Sequence, residues 1–356
     1  MNNIMHWKND LSRLLNIEYP IIQAPMLGTA TPQMVAAAAK ANCLGALPLG
    51  DLPADKCVEI IRATKQLTNA VFAVNIFVND IPEITDELRA QYKTVKNFIT
   101  QLANQHHIEV QLPEIEEIKV NSYHERIDAM IAEDCKIVSF TFGNLDEQSI
   151  HRLKSSGIKL IGTCTSVNEA VILEKSGIDL ICVQGIEAGG HRGTFVNADI
   201  PEIGGMSLLS KVYDSVSVPL IYAGGIYNGR TLKAAQALGA QGFQIGSLLL
   251  GSAESALMEF EKQRLRNLNE KDIVLTKSFS GRYARGIKNT FVNAVEANQQ
   301  ILPYPYQNKL TAELRRIARI NHNADFVNIW TGQSINAYSG KSTTEILENL
   351  IKEAEK

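Results

Sequence analysis

One stretch concentrates side chains able to do chemistry. Ile186-Glu187-Ala188-Gly189-Gly190-His191-Arg192-Gly193 puts a histidine inside a glycine-rich turn directly after the apolar run LICVQG. An imidazole titrates near neutrality, so it can take a proton or polarise a bound group at physiological pH. His6, His106, His107, His124, His151 and His322 sit instead in polar or helical contexts. Two amides, Asn75 and Gln184, stand on apolar runs where an unpartnered amide is costly. A flat heterocycle with carbonyl and N–H edges, such as an isoalloxazine, would satisfy both, and the competing assignment is a bond to nearby backbone. Glycines recur at the ends of other apolar runs, as Gly224-Gly225 and Gly246-Ser247. Such residues let backbone N–H groups approach an anion, which points to a phosphorylated ligand; tight turns alone are the alternative. Met26, after the first apolar run, is a pocket wall or a plain core residue.

These residues need elements to carry them. Eight strand-length apolar runs begin at Pro20, Leu44, Val71, Lys136, Lys159, Leu180, Pro219 and Gly242. They are apolar almost throughout, as strands covered on both faces are. Helical patterns separate them over 32–41, 55–67, 145–156, 167–176, 208–215 and 229–238. The near-copies SSGIKLI and KSGIDLI place glycine where a left-handed helix cap reverses the chain. Eight strand–helix units predict an α/β fold of the (β/α)8 TIM-barrel type, with working residues at the strand ends. A doubly wound sheet is disfavoured, because Met26-Leu27-Gly28-Thr29 is not the glycine fingerprint such a sheet carries after its first strand. The polar stretch 80–134 is expected to be a helical insertion after the third strand. The expected division is a barrel over 1–262 and a carboxy-terminal extension over 263–356 that packs on it and helps cover the site.

Composition narrows the class. The net charge is −3, from 35 basic and 38 acidic residues, which disfavours nucleic-acid and polybasic membrane-surface roles. No apolar stretch reaches the ~20 residues of a spanning helix, and the first residues lack a signal-peptide pattern. The five cysteines (Cys43, Cys57, Cys135, Cys164, Cys182) are scattered without CxxC or zinc spacing, so buried reduced thiols, no metal site and a cytoplasmic location are expected. Oligomeric state stays open, a homo-oligomer included.

The pieces YPIIQAPM, FAVNIFV, FTFG, LIGTCTS, VQGIEAGGHRG, PLIYAGGI, GFQIGS, ARGIKN, YPYQNKLT and WTGQS together resemble the nitronate monooxygenases, formerly called 2-nitropropane dioxygenases, in their bacterial long form. The resemblance spans nearly the whole chain. It implies noncovalent FMN on a (β/α)8 barrel. Asn75, Gln184, Gly189, Gly224, Gln244, Ile245, Gly246 and Ser247 would bind FMN, with Met26 beside it and Gly190 and Gly225 completing the glycine loops. His191 matches the family's catalytic histidine. The family often has threonine where this chain has Ser247, so a hydroxyl is retained. Some long-form members carry glycine at Pro25, which bears on the first strand's turn. The implied reaction is oxidation of an alkyl nitronate, such as propionate 3-nitronate, by O2 to a carbonyl compound and nitrite. Arg192, Tyr304 and Lys309 are further candidates for charge or for closing the pocket. The rival enzymes on this scaffold are a flavin-dependent enoyl-acyl-carrier-protein reductase and an NAD(P)H:quinone reductase. A non-catalytic flavin binder is the remote alternative.

Overall fold

The computed structural model describes residues 5–196 and 200–356. In chain order the strands are β1 (Ile21–Gln23), β2 (Ala46–Gly50), β3 (Ala73–Phe77), β4 (Ile137–Thr141), β5 (Lys159–Cys164), β6 (Leu180–Gln184), β7 (Gly190–His191), β8 (Leu220–Ala223), β9 (Gly242–Ile245), β10 (Ile273–Thr276) and β11 (Ala284–Ile287). Eight of them form one parallel sheet in the order β1-β9-β8-β6-β5-β4-β3-β2. A parallel bridge between Ile22 and Leu44 joins the outer two strands, and Gln23 N–H donates to the Leu44 carbonyl at 2.8 Å. The sheet thereby closes into the expected (β/α)8 barrel, and each of the eight apolar runs supplies one of its strands.

The period of two along each strand sorts side chains into separate environments. Val74, Ile76, Val138, Phe140, Ile181, Val183, Phe243 and Ile245 point outward and pack with the surrounding helices. Ile22, Ala46, Ala73, Ile137, Ile161, Leu180, Cys182 and Ile221 fill the barrel's interior, which Leu11 and Leu15 of the helix Asp10–Leu15 plug at one end. Polar side chains are therefore left to the other end of the inward rows. Gly157 (φ +74°) and Gly177 (φ +79°) adopt the left-handed conformation read from the two near-copy turns. All five cysteines are buried and free.

The two additions form one cap. In the stretch 80–134, the helix Asp86–Gln105 lies outside the barrel, while His124–Ala132 stands beside the barrel helix Ala54–Leu67 as an ordinary member of the ring. Tyr92, Val95 and Ile99 of the long helix share an apolar cluster with Phe279, Phe291, Leu310, Phe326 and Tyr338 of the tail. Tyr306 Oη donates to the Pro82 carbonyl at 2.6 Å, tying tail to insertion. A second sheet, β10-β11-β7, joins the tail to the loop after β6.

The closing helix Thr343–Glu355 leaves the cap and packs between the helices Pro32–Lys40 and Gly229–Ala237. Ser342 opens it with a capping box, accepting from Glu345 N while the Glu345 side chain accepts from Ser342 N. Its Ile346, Leu347, Leu350, Ile351 and Ala354 join the strand–helix core. It is the barrel's last helix, separated from its strand β9 by the tail portion of the cap. Leu347 is 0% exposed and Leu67, on another helix, is 46% exposed. Leu347→Ala is expected to cost about 2–5 kcal/mol in urea denaturation. Leu67→Ala is expected to stay within about 0.5 kcal/mol of the parent. Equal effects would mean that the closing helix does not stabilise the barrel.

Candidate active site

A cavity of about 770 Å3 lies between the carboxy-terminal ends of the barrel strands and the cap. Ile161 and Cys182 line its floor, and Asn75, Ser139, Thr141, Thr163, Gln184 and Gln244 extend up its wall from successive strands. Met26, Gly189, Gly190, His191, Gly224, Gly225, Gly246 and Ser247 line it as well. Of the residues that the resemblance assigns to FMN and catalysis, Ile245 alone does not. It alternates with Gln244, so its side chain turns into the strand–helix core, while its carbonyl accepts from Ala24 N at 2.8 Å.

The two amides have different circumstances. Gln184 Nε2 donates to the His191 carbonyl at 3.0 Å and Gln184 Oε1 accepts from Gly193 N at 2.9 Å. One N–H and one lone pair of its amide thus shape the histidine loop, and its second N–H has no partner among the described residues. Asn75 donates through Nδ2 to Ser139 Oγ at 2.9 Å. No hydrogen bond within the described residues uses its carbonyl oxygen, which remains available to a ligand.

His191 belongs to the short strand β7, paired antiparallel with β11 in the register Ala284↔His191. Arg192 N–H donates to the Tyr283 carbonyl at 2.8 Å and extends that pairing. The ring is flanked by Phe142 and Trp330, with centroids 5.6 and 5.5 Å away. Its Nε2 lies 2.8 Å from Ser280 Oγ. Ser280 Oγ also reaches the Arg282 carbonyl at 3.0 Å; with the hydroxyl hydrogen turned to that carbonyl, Nε2 is the donor in the histidine contact. A neutral imidazole carries one ring proton, and Nδ1 is left as the lone-pair nitrogen. Burial, then the cations Arg282 and Arg315, push the His191 pKa down to about 3. The ring is therefore neutral at pH 7 and can accept a proton at Nδ1. Arg282, stacked on the Phe142 ring at 4.2 Å, stands behind it.

The glycine loops meet the tail. Gly332 N–H donates to Ser247 Oγ at 2.8 Å, Gln333 N–H to the Glu187 carbonyl at 3.0 Å, and Ser334 Oγ to the Gly225 carbonyl at 3.2 Å. Three consecutive residues thus hold the loops after β9, β6 and β8. At Gly189 a Cβ would lie 2.5 Å from both Gly332 N and the Thr331 carbonyl carbon. This glycine is demanded by backbone approaching backbone, as well as by any ligand. The N–H groups of Gly225, Gly246 and Ser247 donate to no backbone carbonyl among the described residues. The Ser247 hydroxyl accepts from Gly332 and keeps its own hydrogen. Donors at the ends of β8 and β9 suit a phosphate, and Asn75 suits the edge of a flat ring, so these residues fit a flavin mononucleotide.

Other candidates have separate duties. Arg192 is 1% exposed and does not line the cavity; it donates to the carbonyls of Gly185 (2.6 Å) and Gln184 (3.0 Å), bracing the loop. Glu187 accepts from Gly205 N at 2.8 Å, at the start of the helix Gly205–Tyr213. Lys309 pairs with Asp51 at 2.7 Å, outside the lining. Tyr304 lines the cavity. The sequence reading assigned no role to Phe142, Ser280, Arg282, Arg315 or Trp330. Most lie in pieces it quoted, FTFG, ARGIKN with the residues before it, and WTGQS. Arg315 had no such signal, because TAELRRIARI reads as an ordinary solvated helix.

Comparison with known proteins accords with this geometry. The family model for nitronate monooxygenase matches residues 8–353. A probable nitronate monooxygenase of Staphylococcus aureus is 38% identical over 349 residues, covering 97% of each chain. Among solved structures, a nitroalkane oxidase from Streptomyces ansochromogenes aligns with a TM-score of 0.87 at 30% identity, over 97% of this chain and 98% of that one. FabK from Thermotoga maritima aligns with a TM-score of 0.75 at 26% identity, over 98% and 96%. A match along almost its full length, joined to a neutral histidine and phosphate-ready loops at one barrel mouth, places the chain in the nitronate monooxygenase family.

Proposed function

We propose that the chain is an FMN-dependent nitronate monooxygenase, oxidising alkyl nitronates with O2 to carbonyl compounds and nitrite. The observation that carries this reading is the neutral His191 imidazole, with its Nδ1 lone pair free, beside glycine loops that leave N–H donors for a phosphate. Gly225, Gly246 and Ser247 would hold the phosphate, and Asn75 and Met26 would hold the ring. FMN supplies the electron transfer between substrate and O2. The protein orients the substrate, excludes water beneath the cap and handles the proton. His191 takes the α-proton of a neutral nitroalkane at Nδ1 and keeps Nε2–H on Ser280. A nitronate lacks that proton, and His191 then serves as a wall and polar contact. The cap formed by the insertion and the tail covers the barrel mouth.

Anaerobic mixing tests the reading. Propionate 3-nitronate is expected to change the flavin spectrum of the FMN-loaded protein, and NADH is not. Bleaching by NADH with no response to the nitronate would move the assignment to a reductase on the same barrel. His191→Ala should retain FMN and lose about 10²- to 10⁴-fold in turnover of a neutral nitroalkane, the usual range for a general base. A much smaller loss is expected on the pre-ionised nitronate. Equal losses on both would assign His191 an electrostatic role instead.

The imidazole also makes a pH prediction. By NMR, the His191 ring of the FMN-free protein should remain unprotonated from pH 8 down to about 5, because its pKa is held near 3. A midpoint near the ordinary value of about 6.5 would contradict the site's electrostatics. The sign for stability follows by linkage. Between those two values the unfolded chain binds the proton and the fold does not, so this group lowers stability as pH falls through that window.

Gly189→Ala forces a Cβ to within 2.5 Å of tail backbone. Overpacking of this kind costs about 1–3 kcal/mol, and flavin should be released more readily on dilution. An unchanged FMN dissociation constant and an unchanged melting temperature would show that the loop and the tail are not packed together.

A further inference from the structure

Three arginines on the cap helix Ala312–Ile320 line the cavity: Arg315, Arg316 and Arg319. Two are neutralised in place. Arg316 pairs with Glu313 at 2.6 Å and Arg319 with Glu261 at 2.8 Å. Among the described residues, Arg315 has no carboxylate partner. Its Nε reaches the Thr311 carbonyl (3.3 Å), one terminal nitrogen reaches Asn328 Oδ1 (3.3 Å), and the other reaches the Asn308 carbonyl (2.7 Å) and Asn308 Oδ1 (2.9 Å). These acceptors are all neutral. They occupy four of a guanidinium's five N–H groups, so one donor and the whole charge are uncommitted. Asp51, the anion that acts on Arg315 electrostatically, is held by Lys309 at 2.7 Å.

Tyr304 also lines the cavity and is 5% exposed, with its hydroxyl buried. Arg315 acts electrostatically on both Tyr304 and His191, so the three groups share one region of the cavity.

We propose that Arg315 anchors a second anionic group on the substrate, a carboxylate distal to the nitronate carbon, and so determines specificity. This rests on the nitronate reading above. Asn308 and Asn328 hold the guanidinium in place before the ligand arrives, so little side-chain freedom is lost when it binds. The nitro end then lies toward His191 and the carboxylate toward the cap helix. Arg316 and Arg319 cannot substitute for Arg315, since each already has its own carboxylate.

The test compares two substrates of equal chain length, propionate 3-nitronate and propyl-1-nitronate, by their ratio of kcat/KM. The parent enzyme should favour the carboxylated one. In Arg315→Met the ratio should fall by roughly 10- to 100-fold, the range for one hydrogen bond to a charged group. Most of that fall should appear in KM, and Arg315→Lys should restore part of it. An unchanged ratio in Arg315→Met overturns the proposal, while flavin reduction by both nitronates keeps the underlying function. If neither nitronate reacts with the parent enzyme, the function and the proposal fail together. A measurement on the parent protein covers a variant that does not fold. Propionate should compete with propionate 3-nitronate and its uncharged isostere propionamide should not. Equal inhibition by the two also overturns the proposal.

Discussion

The site depends on how the segment Trp330-Thr331-Gly332-Gln333-Ser334 lies across the barrel mouth. Consecutive backbone and side-chain donors in that segment hold the loops after β9, β6 and β8 through Ser247, Glu187 and Gly225. Loops at a barrel mouth are otherwise joined only through their strands, each free to move alone. Here one strand of tail backbone fixes their relative positions, and Gly189 is small enough to let it approach. The arrangement of the loops proposed to hold the cofactor's phosphate is therefore a joint product of barrel and tail.

The same tail sets the histidine. Ala284 pairs with His191 in the small sheet, Ser280 bonds the ring at Nε2, and Trp330 and Phe142 flank it. Burial against these rings disfavours the imidazolium, and the nearby guanidiniums disfavour it further. The positive charge of the site thus resides on arginines, while the imidazole is neutral. On the proposed reading, acid–base work and anion attraction fall to different side chains.

The cap couples parts of the chain far apart in sequence. The helix Asp86–Gln105 cannot bury its apolar face on the barrel, whose helices already cover the strands. It shares a core with the tail instead. The chain then returns to the barrel and closes the ring with its last helix. Cap and barrel are consequently continuous through β9 at one end and the closing helix at the other.

Much of this was legible in the sequence. Apolar runs of strand length with helical spacers specify a barrel, because strands covered on both faces admit almost only apolar residues. A histidine among glycines at a strand end marks the cavity mouth, since strand ends are where such barrels work. Period-two alternation should also have excluded Ile245, one residue beyond the inward Gln244. Other features were decided only by the tertiary structure. Gln184 and Asn75 look alike in sequence, yet one amide braces the histidine loop through both its nitrogen and its oxygen and the other keeps a free acceptor. Arg315 resembles its neighbours along the helix, and only the positions of Glu313, Glu261 and Asp51 leave it without a carboxylate. The physical reason is common to these cases. A residue's type sets which bonds it can make, but which of them are already satisfied depends on partners brought close by the fold from distant parts of the chain.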